Sequence, residues 1–328
     1  MKDINRFKFV VSKSPYGNIY NYCYKELEEF NNVDLIEGYI SFNSLIEKKI
    51  YYKHFTKRTW LPFRSIWNKR YYKNKFNKKD SIIFICYYVN IDIYRYNAMK
   101  SLRKKYKNSK FVLFFNDLIC KNLKNKSFEK IKKDFEVILS FDYNDCQKYR
   151  LYNHPLVYSA PKELELLPED IDVYFCGKAK NRLSLIMSVF ESLRKKGIKC
   201  KFILYGVPID QRINNVEIEY VDKFMSYDQN IEYIKRSKCL LEIMQEGGTG
   251  YTLRTCEAVA YNKKIITNNR ILKDAEFYDK DMIYIFNNID DINVEFIKKN
   301  KGEYKDRHYF SPVKLLEKVI NILERKED

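Results

Sequence analysis

Short apolar runs of strand length alternate with amphipathic stretches of helix length along this chain, and the alternation is run through twice. In the first half, 7-FKFVV-11, 81-SIIFICYYV-89, 110-KFVLFF-115 and 136-EVILSF-141 read as buried strands, with helices expected through 19–30, 94–106 and 127–134. The second half restarts with 171-IDVYFCG-177, 200-CKFILYG-206, 216-VEIEYV-221, 239-CLLEIM-244, 263-KKIITN-268 and 282-MIYIF-286. Between these strands fall helices over 226–237 and 252–261 and the stretch 183-LSLIMSVFESLRKKG-197. There Leu183, Ile186, Met187, Phe190 and Leu193 recur at helical spacing and Gly197 stops the turn. A last helix is expected over 312–325. Strands alternating with helices imply parallel βαβ units. The expected fold class is therefore α/β, two Rossmann-like domains facing across a cleft. The first is placed at 1–160 and the second at 171–305. SAPKELELLPEDI, around 158–170, reads as the linker, and the helix in 306–328 is expected to pack back towards the first domain.

At 328 residues the chain is long enough for two cores, and 45% hydrophobic residues exclude a disordered polymer. The net charge of +18 has a plain source, a bias towards lysine along the whole chain, and a functional one, an anionic partner. The stretch 48–79 concentrates the charge: it holds Lys and Arg without Asp or Glu, interleaved with Tyr51, Tyr52, Phe55, Trp60, Phe63, Trp67, Tyr71, Tyr72 and Phe76. That mixture suits an anionic lipid surface, or else a solvated connector with a few packed rings. No run approaches the length of a membrane span, and Met1 leads into charged residues and a strand instead of a signal peptide. The expectation is a soluble cytoplasmic protein that can also sit on the inner face of a membrane. The eight cysteines form no CxxC pair and read as reduced, buried small hydrophobes.

Only 9 glycines are present, so a cluster of them carries information. Gly247, Gly248 and Gly250 stand between the strand ending at Met244 and a helix, in 239-CLLEIMQEGGTGYTLRTCEAVA-260. Glycines there permit positive φ and close backbone approach to a ligand, and Thr249 and Thr252 add hydroxyls and a helix N-cap. The helix start and Arg254 suit phosphate oxygens. Glu257 cannot help a phosphate, but it can accept hydrogen bonds from a ribose diol. Glycines, hydroxyls, Arg and then Glu therefore fit a nucleoside diphosphate; the plain alternative is a tight turn capping a helix. A second candidate is 176-CGKAKNR-182, where Gly177 allows close approach. Lys178, Lys180 and Arg182 crowd a helix N-terminus that cations destabilise unless an anion binds. No GxxxxGK[ST] or GxGxxG pattern follows a strand, which argues against a kinase, an ATPase or an NAD dehydrogenase. Asp170–Asp172 and Asp279–Asp281 precede strands instead of following them and read as loop acids. His54, His154 and His308 show no ligand spacing, so no obligatory metal and no cofactor are expected.

Three stretches resemble a bacterial GT-B-type glycosyltransferase of the group that builds capsular polysaccharide and lipopolysaccharide. 140-SFDYNDCQKYRLYNHPLVY-158 is similar to the end of the family's N-terminal domain, with its TFD…D…KYG pattern. 173-VYFCGKAKNRLSLI-186 is similar to its first C-terminal strand, loop and helix. 241-LEIMQEGGTGYTLRTCEAVAYNKKIITNN-269 is similar to its donor segment, of GLTMRT-EA-KK-ITTN character. The match covers the second half of the chain well and the first 135 residues poorly.

The resemblance implies transfer of a sugar from a nucleotide-diphosphate sugar, a substrate and not a cofactor, to a hydroxyl of a growing, lipid-linked surface glycan. It implies that Gly177, Lys178, Arg182, Gly248, Thr249, Gly250, Tyr251, Thr252 and Arg254 face the diphosphate. Glu257 would bind the ribose, and Lys223, Phe224 and Met225 would hold the base. Relatives often carry a second acid eight positions before the ribose carboxylate; here that position is Thr249, so retention or inversion stays open. An inverting reaction needs a base at a strand end of the first domain. Asp117 is best placed and Asp142 is next, with Ser14 to Asn18 lining the acceptor side. Substitution of Glu257 or Arg254 by alanine is expected to weaken nucleotide binding with little loss of fold. The alternatives are a basic nucleic-acid-binding protein acting through 48–79, a DNA-modifying glucosyltransferase, or a sugar-nucleotide epimerase of the same architecture.

Overall fold

The computed structural model describes residues 4–13, 19–36, 46, 74–87, 103–122, 128–165, 167–223, 225–245, 248–300 and 302–326. The segments 14–18 and 47–73, the expected helix as far as 102, Phe224 and Gly247 lie outside the described residues. The chain forms two compact units, Met1–Pro155 with Pro312–Asp328, and Leu156–Ser311.

The first unit is built on six parallel strands: β1 (Lys8–Ser12), β2 (Val33–Ile36), β3 (Ile82–Tyr87), β4 (Lys110–Phe115), β5 (Val137–Ser140) and β6 (Tyr152–Asn153). Their order is β2-β1-β3-β4-β5-β6. Strands β3, β4 and β5 are buried nearly end to end, because helices cover both faces of a parallel sheet. Phe84 and Phe111 stack at 5.0 Å across β3 and β4, and the Arg103 guanidinium lies over Phe111 while gripping Glu136 at 2.9 and 3.1 Å. Helix Pro312–Glu324 belongs to this unit. Just past its end, the Lys326 ammonium donates to the Glu136 carbonyl at 2.7 Å. Strands β2 and β6 were not legible in the sequence: β2 is four residues long with only its two end residues buried, and β6 is an exposed dipeptide.

The second unit has β7 (Ile171–Lys178), β8 (Cys200–Tyr205), β9 (Ile218–Val221), β10 (Ser237–Glu242), β11 (Lys264–Thr267) and β12 (Ile283–Ile285), all parallel, in the order β12-β11-β10-β7-β8-β9. The chain thus winds outward from β7 to β9 and then returns to add β10 on the other side of β7. The covering helices are Leu183–Lys195, Tyr227–Arg236 and Leu253–Ala260. Helix Leu183–Lys195 buries Ile186, Val189, Phe190 and Leu193, and Phe190 meets Phe202 of β8 at 5.0 Å. Gly197, at φ 71°, ends it in the conformation that favours glycine. Val157, Tyr158, Ser159 and Ala160, at the start of the expected linker, are buried and belong to this unit. Among the cysteines, Cys120 is exposed and Cys176 half-buried, contrary to the expectation that all behave as core residues.

His154 closes the first unit. Its Nδ1–H donates to the Pro155 carbonyl at 2.7 Å and its ring meets Phe114 edge-on at 5.9 Å. Burial holds its pKa down at about 4, and the Lys318 and Lys314 ammoniums add to the effect. The unfolded chain takes up a proton between pH 6.5 and about 4 that the folded chain refuses, so stability falls as pH drops through that window. The expected loss is at most roughly 3 kcal/mol. Urea unfolding between pH 7 and 4 should show a shallower decline for His154→Phe than for the wild type.

Candidate functional site

In a doubly wound sheet, ligands bind outside the C-terminal ends of the strands where the winding reverses. In the second unit that point lies between β7 and β10, which are hydrogen-bonded neighbours. The segments leaving these strands, 177–182 and 243–252, are those the sequence singled out.

Gly177 lies near the end of β7. A Cβ there would meet the Phe175 ring at 3.4 Å and an Arg182 nitrogen at 3.6 Å. Arg182 ties the two segments together: one guanidinium nitrogen donates to the Ile243 carbonyl and the other to the Lys178 carbonyl at 3.0 Å. Burial pulls its pKa below the ordinary value, with Glu242 opposing. Lys180 makes a second tie, from its ammonium to Gln245 Oε1 at 3.1 Å, and sits at φ 49°. A lysine in the left-handed region is strained, and such strain is commonest at functional sites. Lys178 is exposed at the end of the strand.

The glycine segment is shaped differently from expectation. Among the described residues the glycines at positive φ are Gly197 and Gly206, not Gly250. Gly248 donates to the Gln245 carbonyl at 3.3 Å, and an added Cβ would meet Met244 at 3.5 Å. Asn269 holds the Gly250 carbonyl at 3.3 Å and Asn268 holds the Met244 N–H at 2.8 Å. These two asparagines of the ITNN run were not assigned a role from the sequence. Thr249 is half-buried. Tyr251 packs edge-on against Phe277 at 5.2 Å and Phe310 at 5.9 Å, and burial pushes its pKa up. Thr252 is the N-cap of helix Leu253–Ala260: its oxygen accepts the Arg254 and Thr255 N–H groups, and its hydroxyl donates to Glu242.

Glu257 is the centre of a buried polar network. It is 1% exposed. Its Oε1 accepts the Tyr227 hydroxyl at 2.6 Å and the Asn230 amide at 3.0 Å, and its Oε2 faces Arg254 Nη1 at 2.6 Å. Tyr174 donates to Asn230 Oδ1 at 3.0 Å and lies under the Arg254 guanidinium at 5.4 Å. Arg254 Nη2 also donates to the Cys176 carbonyl of β7 at 3.0 Å. Burial alone would lower the Arg254 pKa, but the Glu257 carboxylate more than reverses it. The Tyr205 hydroxyl accepts the Met225 N–H at 3.1 Å and so anchors the segment expected to hold a base, while Lys223 is exposed. Tyr174, Tyr205, Tyr227 and Asn230 escaped sequence reasoning because they lie on separate strands and on another helix. The spacing of residues along one segment gives no sign of them.

The two candidate bases belong to the other unit. Asp117 follows β4, is exposed, and accepts its neighbour's N–H from Leu118 at 2.8 Å. Asp142 is 1% exposed and caps helix Tyr143–Tyr149 by accepting the Asp145 N–H at 2.9 Å. The loop acids are paired: Asp170 with Arg236, Asp172 with Lys238 at 2.7 Å and Asp281 with Lys299 at 3.0 Å. Among the described residues no group of three His, Cys, Asp or Glu side chains could hold a metal ion, and no helix is long and apolar enough to cross a membrane.

The burial of Arg254 and Glu257 overturns the expectation that either could be truncated with little loss of fold. Removing one partner of a buried pair leaves an uncompensated charge and costs about 3–5 kcal/mol. Arg254→Ala or Glu257→Ala should therefore lower the unfolding midpoint markedly. Arg254→Met with Glu257→Gln, which keeps acceptors for Tyr227 and Asn230, should recover most of the loss in a denaturant titration.

No protein-family model matches the chain, and no curated protein matches it in sequence. Solved structures do match. An alpha-glucosyltransferase in complex with UDP and a DNA containing an HMU base aligns over 96% of this chain and 94% of that chain, at TM-score 0.54 and 13% identity. A glycosyltransferase from Rickettsia africae aligns over 97% and 98%, at 0.53 and 12%. The trehalose-6-phosphate synthase OtsA aligns over 96% of each chain, at 0.52 and 10%. The chain spans only 58% and 54% of the matched chains in two streptococcal assemblies, the Gap123 complex of Streptococcus agalactiae and the accessory secretory protein complex of Streptococcus pneumoniae. At such identities the likeness is one of fold. With its two parallel six-stranded sheets, the chain has the GT-B fold of the glycosyltransferases it resembles.

Proposed function

We propose that this protein is a glycosyltransferase that binds a nucleotide-diphosphate sugar at the β7–β10 end of its second unit and passes the sugar to a hydroxyl of a growing, lipid-linked surface glycan. The observation that carries the reading is the Arg254–Glu257 pair. A cation suited to phosphate and a carboxylate suited to ribose sit together at the strand ends, buried and ion-paired at 2.6 Å. Binding exchanges partners. The diphosphate takes the guanidinium and the ribose diol takes Oε2, while Tyr227 and Asn230 keep Oε1 in place. A nucleoside or a phosphate alone would break the pair and replace only one side of it. Nucleoside diphosphates are therefore the preferred ligands.

In the reaction the bond between the anomeric carbon and the phosphate oxygen breaks and the diphosphate leaves with the electron pair. The acceptor oxygen bonds to the anomeric carbon and gives up its proton. Arg254, Lys178, Lys180 and the N–H groups of 250–252 stabilise the departing charge, an electrostatic role that needs no metal. Arg182 supports this indirectly, since its guanidinium is committed to the carbonyls of Ile243 and Lys178. Asp117 is the proposed base for an inverting course; Asp142 serves its helix as a cap. A nucleic-acid acceptor is the second reading, favoured by the net charge of +18 and by the DNA held by one structural neighbour. A sugar-nucleotide epimerase would need no acceptor.

Calorimetry with UDP, GDP, CDP and dTDP should find one nucleotide that binds, and the Arg254→Met/Glu257→Gln variant should bind it at least about tenfold more weakly while remaining folded, a loss of ~1.4 kcal/mol or more. If none of the four binds, the donor-site assignment is wrong. Turnover should survive EDTA; if it is abolished and a divalent ion restores it, the metal-free course is wrong.

A further inference from the structure

Below the glycine segment lies a carboxylate outside the nucleotide reading. Glu242 ends β10 and is 3% exposed. Among the described residues no lysine or arginine forms an ion pair with it. Its partners are three threonine hydroxyls. Oε1 accepts from Thr252 and, at 2.7 Å, from Thr255; Oε2 accepts from Thr267 at 2.6 Å. These threonines come from the helix N-cap, the first helical turn and the end of β11.

The chemistry of the group explains the arrangement. An ionised carboxylate only accepts, so every hydroxyl that meets it must point its hydrogen inward. Each oxygen then has lone pairs left for backbone donors. Thr252 Oγ1 uses them for the N–H groups of Arg254 and Thr255, and Thr267 Oγ1 for that of Asn269 at 2.9 Å. Asn269 in turn holds the Gly250 carbonyl. Two chains of hydrogen bonds thus leave one carboxylate and reach both ends of Gly250–Thr252: through Thr252 to the helix start, and through Thr267 and Asn269 to Gly250. A buried anion close to a site for phosphate works against the ligand's own charge. Its retention there calls for a geometric reason.

We propose that Glu242 is the positioning residue of this segment: by orienting the hydroxyls of Thr252, Thr255 and Thr267 it sets the path of Gly250–Thr252 and the start of the helix that carries Arg254. Its bearing on ligand binding rests on the donor-site reading above. A glutamine in its place would present an amide donor to at least one hydroxyl, reverse that hydroxyl's orientation and loosen one of the two chains.

The test compares Glu242→Gln with Ile266→Ala, which cuts a fully buried side chain from the same sheet, next to Thr267, and removes none of the network's hydrogen-bonding groups. Measurements are made well below both unfolding midpoints. Amide hydrogen exchange of Arg254, Thr255 and Asn269 should quicken about tenfold or more in Glu242→Gln and stay unchanged in Ile266→Ala. Affinity for the nucleoside diphosphate that the wild type binds should fall about tenfold or more in Glu242→Gln and less than threefold in Ile266→Ala. Thr252→Ser should keep the affinity and Thr252→Val lose it. Unchanged exchange in Glu242→Gln overturns the proposal, as does an affinity loss no greater than that of Ile266→Ala. If the wild type binds no nucleotide, the donor-site reading fails, and the exchange pattern still decides whether Glu242 orders the segment.

Discussion

The reversal of winding between β7 and β10 is the constraint on which the second unit depends. A parallel strand must be reached by a crossover, and crossovers on opposite sides of β7 carry the chain away in opposite directions. The segments that leave β7 and β10 therefore part at the strand ends, and backbone groups there lack the cover that helices provide elsewhere. Arg182 and Lys180 bridge the two segments to Ile243 and Gln245. Arg254 reaches from its helix back to the Cys176 carbonyl. Most of the residues picked out by their chemistry lie within this small region.

Two buried carboxylates organise the region in different ways. Glu257 is balanced by a cation and two neutral donors, so its charge is compensated but exchangeable. Glu242 takes its hydrogen bonds from hydroxyls, with the Arg182 charge acting on it only at a distance, so it holds geometry with no ion-pair partner to give up. A desolvated carboxylate that lost these partners would carry a penalty of several kcal/mol. The contrast separates a group suited to meeting a ligand from a group suited to holding the frame around it.

Much of the fold was legible because it follows from local pattern. The runs 110-KFVLFF-115 and 171-IDVYFCG-177 announce β4 and β7 by their apolar content, and 183–197 announces its helix by the spacing of Ile186, Phe190 and Leu193. Strand β2 was missed because four residues are too few to show a pattern, and β6 because it is a polar, exposed dipeptide. In the site, Arg254 and Glu257 could be picked out because they share one helix, a turn apart. Tyr174, Tyr205, Tyr227, Asn230 and Glu242 could not, since what they do is defined by partners distant in sequence.

The sequence by itself determined the α/β class, the repeat of the pattern in two halves, and the glycine-bearing segments that leave β7 and β10. Periodicity and residue chemistry are local properties, and they survive without knowledge of contacts. Only the tertiary structure decided that Glu257 is enclosed by Tyr227, Asn230 and Arg254, that Thr252 spends its hydroxyl on Glu242, and that the Arg182 guanidinium ties two segments together. Burial and hydrogen-bond partners depend on which strands become neighbours. That follows from the order of the whole sheet and is written in no single segment.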